Sequence, residues 1–381
     1  MNHLLVALSA AVLVASPASS QVAPGDGGQD RDERGLWMQV EEYERQLKAS
    51  DFVIRDPALN AYVGEVFCRT VGPGCADVRI YIVRTPYFNA SMAPNGMMAL
   101  WSGLFLRTRD EAQLAAVLAH EYVHYRERHS LQLLRDVRGK TNAFSLLGLP
   151  LAVLGGSAGY TLGQLALVAS VYGFSRDMER QADAGSLTLL GQAGYDPAAA
   201  SAVWRQVEAE REATGRERKK KPRGEGGLFA THPTTAERLR TLAAMAGQTP
   251  VTGTPTTARD RYRAALAPHW AQLVDDQIKL NDLGATEMLL GELAAEGWTP
   301  DLLYARGELY RARGRPDDLA RAADAYRQAI AGQAPAEAQR GLGLTLLRSG
   351  DAAGGRAALA AYVAARPDAA DAPMMKQLAG L

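Results

Sequence analysis

The sequence has no surplus of charge: lysine and arginine together number 42 of its 381 residues, and so do aspartate and glutamate. A nucleic acid or acidic partner recognised through overall charge is thereby excluded, and no nucleic-acid role is expected. Cysteine is nearly absent as well. Its two copies, Cys68 and Cys75, both lie in "CRTVGPGC", and none stands near the N-terminus to carry a lipid. In an oxidising compartment the pair is expected to close one small-loop disulfide. Histidine is scarce, with six in the chain. Residues 141–175 hold no charged side chain, yet the segment is broken by Gly148, Pro150, Gly155, Gly156, Gly159 and Gly163. The pieces are shorter than the roughly 20 apolar residues a membrane span needs. A buried helix pair, or a hairpin touching a membrane surface peripherally, is therefore read in preference to a transmembrane hairpin.

What is present first reads as an address. An apolar stretch, Leu4–Val14, precedes Ser16-Pro17-Ala18-Ser19-Ser20, and a polar segment follows at Gly25–Asp32. That order is an export signal, residues 1–20, cleaved near Ser20, although its first residues lack lysine and arginine. A periplasmic location, with membrane association left open, is the corresponding expectation. The chain is long enough for two or three domains. Residues 34–70 carry helical periodicity, and strand-like runs follow at Val78–Val83, Phe88–Met92 and Met97–Trp101, the last two separated by the turn Pro94-Asn95-Gly96. Thr108-Arg109-Asp110-Glu111 has the form of a capping box, which predicts a helix from there past His124. Six basic residues within 216–223 read as a solvated loop, and "GQTPVTGTPTT" reads as a linker.

Beyond that linker the chain is rich in Ala, Leu and Arg. Gly343, Gly350 and Pro367 fall at the spacing of a helix-turn-helix repeat of about 34 residues, and Gly307, Tyr310, Gly314, Tyr326 and Ala329 mark a preceding unit. The expected domains are thus a first domain over 21–247, a linker over 248–257 and tetratricopeptide-like repeats over 258–381. Stacked helix pairs of that kind offer a concave surface on which a partner binds.

The chemistry lies in "HEYVH". On a helix, His120 and His124 are about 40° apart around the axis, so their imidazoles can converge on one ion. Glu121 points near the same spot without being a ligand. Catalytic zinc takes three protein ligands and a water. "FSRDMERQADAGSL" supplies Glu179 as the third ligand, and Asp183, one turn on, is placed to hold a histidine by its second nitrogen. Two neutral histidines and one carboxylate leave a net positive centre that acidifies water, and Glu121 is placed to take the proton. His129 and His269 have no partners at metal spacing and read as exposed polar residues.

These residues resemble the HtpX-type family of zinc metallopeptidases, of the gluzincin kind. The likeness is carried by His120-Glu121-x-x-His124, by Ser175-Arg176-x-x-Glu179-x-Gln181-Ala182-Asp183, by Thr231-His232-Pro233 followed by Arg238, and by Phe88–Phe105 ahead of the metal helix. It covers residues 35–245, and with the repeats the architecture is similar to that of a periplasmic peptidase surveying β-barrel assembly. The resemblance implies a mainly α fold with a small β-sheet: a zincin-like α+β metallopeptidase followed by an α-helical repeat domain. It implies one Zn2+ per chain on His120, His124 and Glu179, with Glu121 as catalytic base, and Asp183 and Arg238 behind the ligands. It places His232 near the site, as an oxyanion donor or as a fourth zinc ligand that replaces the water. Strand Met97, Met98, Ala99, Leu100, Trp101 is expected to be the exposed edge that takes an extended substrate. The activity expected is proteolysis of unfolded or misassembled envelope proteins, with an assembly partner docked on the repeats. The rival expectation is a periplasmic chaperone or adaptor acting through its repeats.

Overall fold

The computed structural model describes residues 31–140, 174–217 and 236–381. The expected export signal, apolar residues 141–173, basic residues 218–223 and His232 lie outside the described residues. The fold is mainly helical with one three-stranded sheet. Among the described residues no helix is long and apolar enough to cross a membrane.

Two helices, α1 (Arg31–Ala49) and α2 (Pro57–Val71), fill the first periodic stretch. Asp56 caps α2 by accepting from the Leu59 backbone N–H at 2.8 Å, and Pro57 opens the helix with its φ already set. A 3-10 turn, Gly72–Asp77, follows, and Cys68 and Cys75 are bridged across it with Cα atoms 5.0 Å apart.

The strands are β1 (Arg79–Val83), β2 (Ala90–Met92) and β3 (Met97–Trp101), in the order β1-β3-β2. β3 runs parallel to β1 and antiparallel to β2, so Leu100 stands opposite both Ile82 and Ala90. Met97–Trp101 is therefore the central strand and is buried throughout, which corrects its expected role as the exposed edge. The outer side of β1 is covered, because Ile54 N–H donates to Ile82 O at 2.8 Å and Arg84 N–H to Phe52 O at 2.7 Å. On β2, the bonds from Trp101 N–H to Asn89 O and from Ala93 N–H to Met97 O show which residues face β3. By alternation Ala90 and Met92 turn their backbone N–H and C=O away from it. Among the described residues no strand pairs with that side, so the unpaired edge of the sheet is Ala90–Met92, with Ala90 and Met92 themselves buried.

The two faces of the sheet bury different layers. Ile82, Ala90, Met98 and Leu100 join the main core with α2, whereas Val83, Met97, Ala99 and Trp101 pack under α1. After a short helix, α3 (Leu104–Arg107), comes α4 (Glu111–Arg126), buried from Glu111 through Tyr125. Its cap is Asp110, which accepts from the Gln113 backbone N–H at 2.8 Å, and not the expected Thr108. Thr108 is drawn off to Tyr262 and to Leu104 O, and Glu111 to Tyr62 and Tyr195. Around α4 stand α5 (His129–Lys140), α6 (Arg176–Gln192), α7 (Ala198–Glu217) and α8 (Ala236–Ala246). The close approach of α6 to α4 depends on Gly185: a Cβ there would lie 2.8 Å from Val123 Cγ2.

The remaining helices are α9 (Arg259–Leu266), α10 (Trp270–Lys279), α11 (Leu283–Leu293), α12 (Pro300–Arg313), α13 (Asp318–Ala331), α14 (Glu337–Ser349), α15 (Ala352–Ala365) and α16 (Ala372–Ala379). α12 packs on α13 and α14 on α15. α12 and α14 each end at a left-handed glycine, Gly314 with φ 64° and Gly350 with φ 94°. Residues 248–257 lie along the loop after α6, where Thr252 N–H donates to Gly191 O at 2.8 Å and Thr256 N–H to Gly194 O at 3.1 Å. Tyr262, Leu266, Leu273 and Leu289 then enter the same core as α4.

α1 is fixed to the sheet by a buried carboxylate. Glu44 accepts from Arg79 at 2.6 and 2.7 Å, from Tyr81 Oη at 2.7 Å and from Asn95 Nδ2 at 2.9 Å. Burial raises its pKa, but Arg79, Tyr81 and Lys48 outweigh burial and bring it from 4.5 down to about 2. A depressed carboxylate stabilises the fold fully above its unfolded pKa and ceases to do so as pH falls through the folded one. Glu44→Ala is accordingly expected to cost about 2–3 kcal/mol at pH 7, with the gap to the native protein closing as pH falls from 4.5 towards 2. Urea unfolding of both proteins across that range checks it; a gap that persists at the acid end refutes the anchor.

Candidate metal centre

The centre forms where α4 meets α6. His120 and His124 project from one side of α4, and Ser175 caps α6 by accepting from the Met178 N–H at 3.3 Å, which sets Glu179 and Asp183 on the face towards them. Nε2 of His120 and Nε2 of His124 lie 3.1 Å apart. Glu179 Oε2 is 3.6 Å from the first and Oε1 is 3.6 Å from the second. One atom from each of the three side chains can be chosen so that all lie within 4.8 Å of one another. All three residues are buried.

The arrangement suits a cation. His120 Nδ1 lies 3.2 Å from Asp183 Oδ1, so its proton belongs on Nδ1 and its Nε2 lone pair faces inward. Two ring nitrogens and a carboxylate turned on one buried point call for a positive charge among them, which a proton on His120 supplies in the metal-free protein and a cation would replace. Tetrahedral zinc ligands bonded at about 2.0–2.1 Å are roughly 3.4 Å apart, near the 3.1 Å between the two histidine nitrogens and the 3.6 Å from each to its nearer Glu179 oxygen. Histidine nitrogen with carboxylate oxygen is a donor set that zinc accepts.

Behind the ligands stands a second set of partners. Arg238 of α8 grips Asp183 with two hydrogen bonds, Nε to Oδ2 at 2.8 Å and an Nη to Oδ1 at 2.9 Å. The same guanidinium forms an ion pair with Glu179 Oε2 at 2.8 Å and lies over the Trp204 ring, 4.8 Å from its centre. Trp204 in turn meets the His120 ring edge-on at 6.2 Å. Burial opposes charge on His120, yet Asp183 and Glu179 outweigh it and lift its pKa to about 9. Burial likewise raises Asp183, but Arg238 and His120 hold it below the usual carboxylate value. Glu121 is 1% exposed and lines a small pocket with His120, Trp204 and Leu242.

His129 departs from expectation. Read as an exposed polar residue, it is fully buried, with Nδ1 2.9 Å from His124 Nδ1 and Nε2 3.0 Å from Gln181 Oε1. Burial lowers its pKa. The available signal was three of six histidines falling within ten residues. Phe174 was not anticipated either; its ring stacks on His124 at 3.9 Å and 18°. His269 is partly buried and faces Asp56 at 3.6 Å.

A buried helix that offers two histidines with a glutamate between them, completed by a carboxylate from a second helix, is the construction of a zincin-type metallopeptidase. The chain belongs to peptidase family M48, whose profile matches residues 54–246. It is similar to the mitochondrial metalloendopeptidase OMA1 of Schizosaccharomyces pombe, 32% identical over 185 residues, covering 48% of this chain and 51% of that protein. It is also similar to the beta-barrel assembly-enhancing protease of Escherichia coli K12, 28% identical over 176 residues, which cover 43% of this chain and 36% of the relative. The same-named protein of Yersinia pestis is 31% identical over 170 residues, with 41% and 34% covered. The matches thus span between a third and a half of these relatives.

Arg238 combines two in-line hydrogen bonds with an ion pair, a geometry that a lysine cannot reproduce. Arg238→Lys is expected to weaken metal binding about 10–100-fold, read with Zn2+ by chelator competition on the metal-free protein. Native affinity in that variant rules out a role for the guanidinium fork.

Proposed function

We propose that the protein is an exported zinc-dependent endopeptidase that degrades misfolded or stalled envelope proteins. The observation that carries the reading is the convergence of His120, His124 and Glu179 beside Glu121 in a chain of family M48. Held by those three side chains, zinc supplies a Lewis acid that polarises a peptide carbonyl and acidifies water. Glu121, next to a ligand and itself outside the ligand set, accepts the water's proton and passes it to the departing amine. Asp183 keeps the His120 proton on Nδ1, and Arg238 keeps Asp183 charged. His232 acts on the same site as a fourth ligand or an oxyanion donor.

The substrate adds as an extended strand on the unpaired edge Ala90–Met92, which packs beside α4 and is uncovered as the substrate enters. Backbone hydrogen bonding of that kind asks little of the substrate's sequence, which suits clients recognised for being unfolded. An assembly partner docks on the helical repeats, and residues 141–175 touch the membrane surface. The bacterial relatives are named for β-barrel assembly, which supports an envelope client.

Two glutamates one helix apart then differ in what they lose. Glu121→Gln is expected to keep zinc and lose about 100-fold or more in cleavage of an unfolded protein, whereas Glu179→Gln loses zinc and activity together. Metal analysis of both purified variants, alongside cleavage assays, checks it; equal zinc content in the two, or an active Glu121→Gln, defeats the assignment.

A further inference from the structure

The two histidines of the centre are supported unequally. His120 is backed by a carboxylate, Asp183, that is itself paired with Arg238. His124 is backed by another histidine, through two Nδ1 atoms 2.9 Å apart. One hydrogen bond between two imidazole nitrogens needs one proton and one lone pair. His124 turns Nε2 to the centre, so as a neutral ligand it carries its proton on Nδ1. His129 must then present a bare Nδ1, and its own proton must sit on Nε2. The next partner agrees: Nε2 of His129 lies 3.0 Å from Gln181 Oε1, an acceptor. The protons therefore all point outward, from His124 to His129 to Gln181.

The backbone is shaped to make this contact. α4 ends at Arg126, and Arg128 takes a left-handed φ of 56°, uncommon for a residue with a Cβ. That turn starts α5 at His129 and returns its ring against His124, with ring centres 5.0 Å apart. The His129 side chain is fully buried, so water does not replace the bond when it is lost.

We propose that His129 is a positioning residue of the metal centre: it accepts the Nδ1 proton of His124 and thereby holds His124 in the tautomer and orientation that present Nε2 to the ion. A neutral acceptor does so without adding charge, unlike a carboxylate, and the net positive centre is preserved. The inference rests on the zinc-peptidase reading.

Two substitutions separate positioning from packing. His129→Phe keeps a flat ring beside His124 and Phe174 and removes the acceptor, whereas His129→Asn places an amide oxygen where Nδ1 was. Zn2+ affinity of the metal-free full chain is measured by chelator competition, and metal-free unfolding is followed in parallel. His129→Phe is expected to bind Zn2+ about 10–100-fold more weakly with little change in metal-free melting, and His129→Asn to recover most of the loss. Native affinity in His129→Phe, or no recovery in His129→Asn, overturns the proposal and leaves the peptidase reading intact. A native chain that does not bind Zn2+ removes both. Should His129→Phe fail to fold, long-range 1H–15N NMR of the native protein decides: the proton is expected on His129 Nε2, and a proton on its Nδ1 overturns the proposal.

Discussion

The structure is organised around the burial of one helix that carries charge. α4 has no solvent face, so each polar side chain on it needs a partner from another element, and those partners fix where the elements go. At its start, Glu111 is 0% exposed and receives Tyr62 at 3.0 Å, Tyr195 at 2.6 Å and Arg261 at 3.2 Å, which tie α2, the loop after α6 and α9 to one carboxylate. Its place in the first turn also sets it against the positive end of the helix dipole. At the other end, His120, Glu121 and His124 draw in Glu179, Asp183, Arg238 and His129. An unpaired charge in such surroundings costs several kcal/mol. The helix is therefore located by two polar clusters, with hydrophobic packing filling the space between them.

That constraint separates what the sequence discloses from what it does not. His120-x-x-x-His124 and Glu179-x-x-x-Asp183 are legible because helical geometry alone puts four-apart residues on one face. The three strands and the turn at Pro94-Asn95-Gly96 are legible for the same local reason. Strand order is not local. β3 lies between β1 and β2 because its parallel pairing with β1 is formed across the whole β2 hairpin, and nothing within Met97–Trp101 distinguishes a central strand from an edge. His129 escapes for a related reason: its position follows from a left-handed turn at Arg128, a residue type that gives no warning of one. The cap moved from Thr108 to Asp110 because distant residues, Tyr262 and Tyr195 among them, compete for Thr108 and Glu111.

The helices beyond residue 258 are joined to the sheet and to α3 by polar contacts as well as by a shared core. Arg84, directly after β1, meets Asp276 with two bonds of 2.7 Å. Arg107, which is buried, binds Glu210 of α7 and, at 2.9 Å, Gln277 of α10. Bidentate arginine contacts of this kind specify orientation as well as proximity. A partner seated on the later helices would therefore be held at a defined place relative to the strand edge Ala90–Met92.

Arg238 has a consequence for how the centre can work. It stands 2.8 Å from Glu179 Oε2 while holding both oxygens of Asp183. A guanidinium so close to one carboxylate oxygen would compete with an ion for it, so Oε1, which lies 3.6 Å from His124 Nε2, would be the better donor of the two. A carboxylate that binds through one oxygen takes up one position on the ion, and with two histidines that makes three. The fourth position is the one a catalytic site keeps for water or substrate. Among the side chains that would touch the ion or back its ligands, Asp183 is offset by Arg238, His129 as a neutral acceptor adds no charge, and Glu179 is the anionic donor; Glu121 stands outside that set. A divalent ion held by those three side chains would keep a net positive charge, the condition that the proposed function requires for acidifying water beside Glu121.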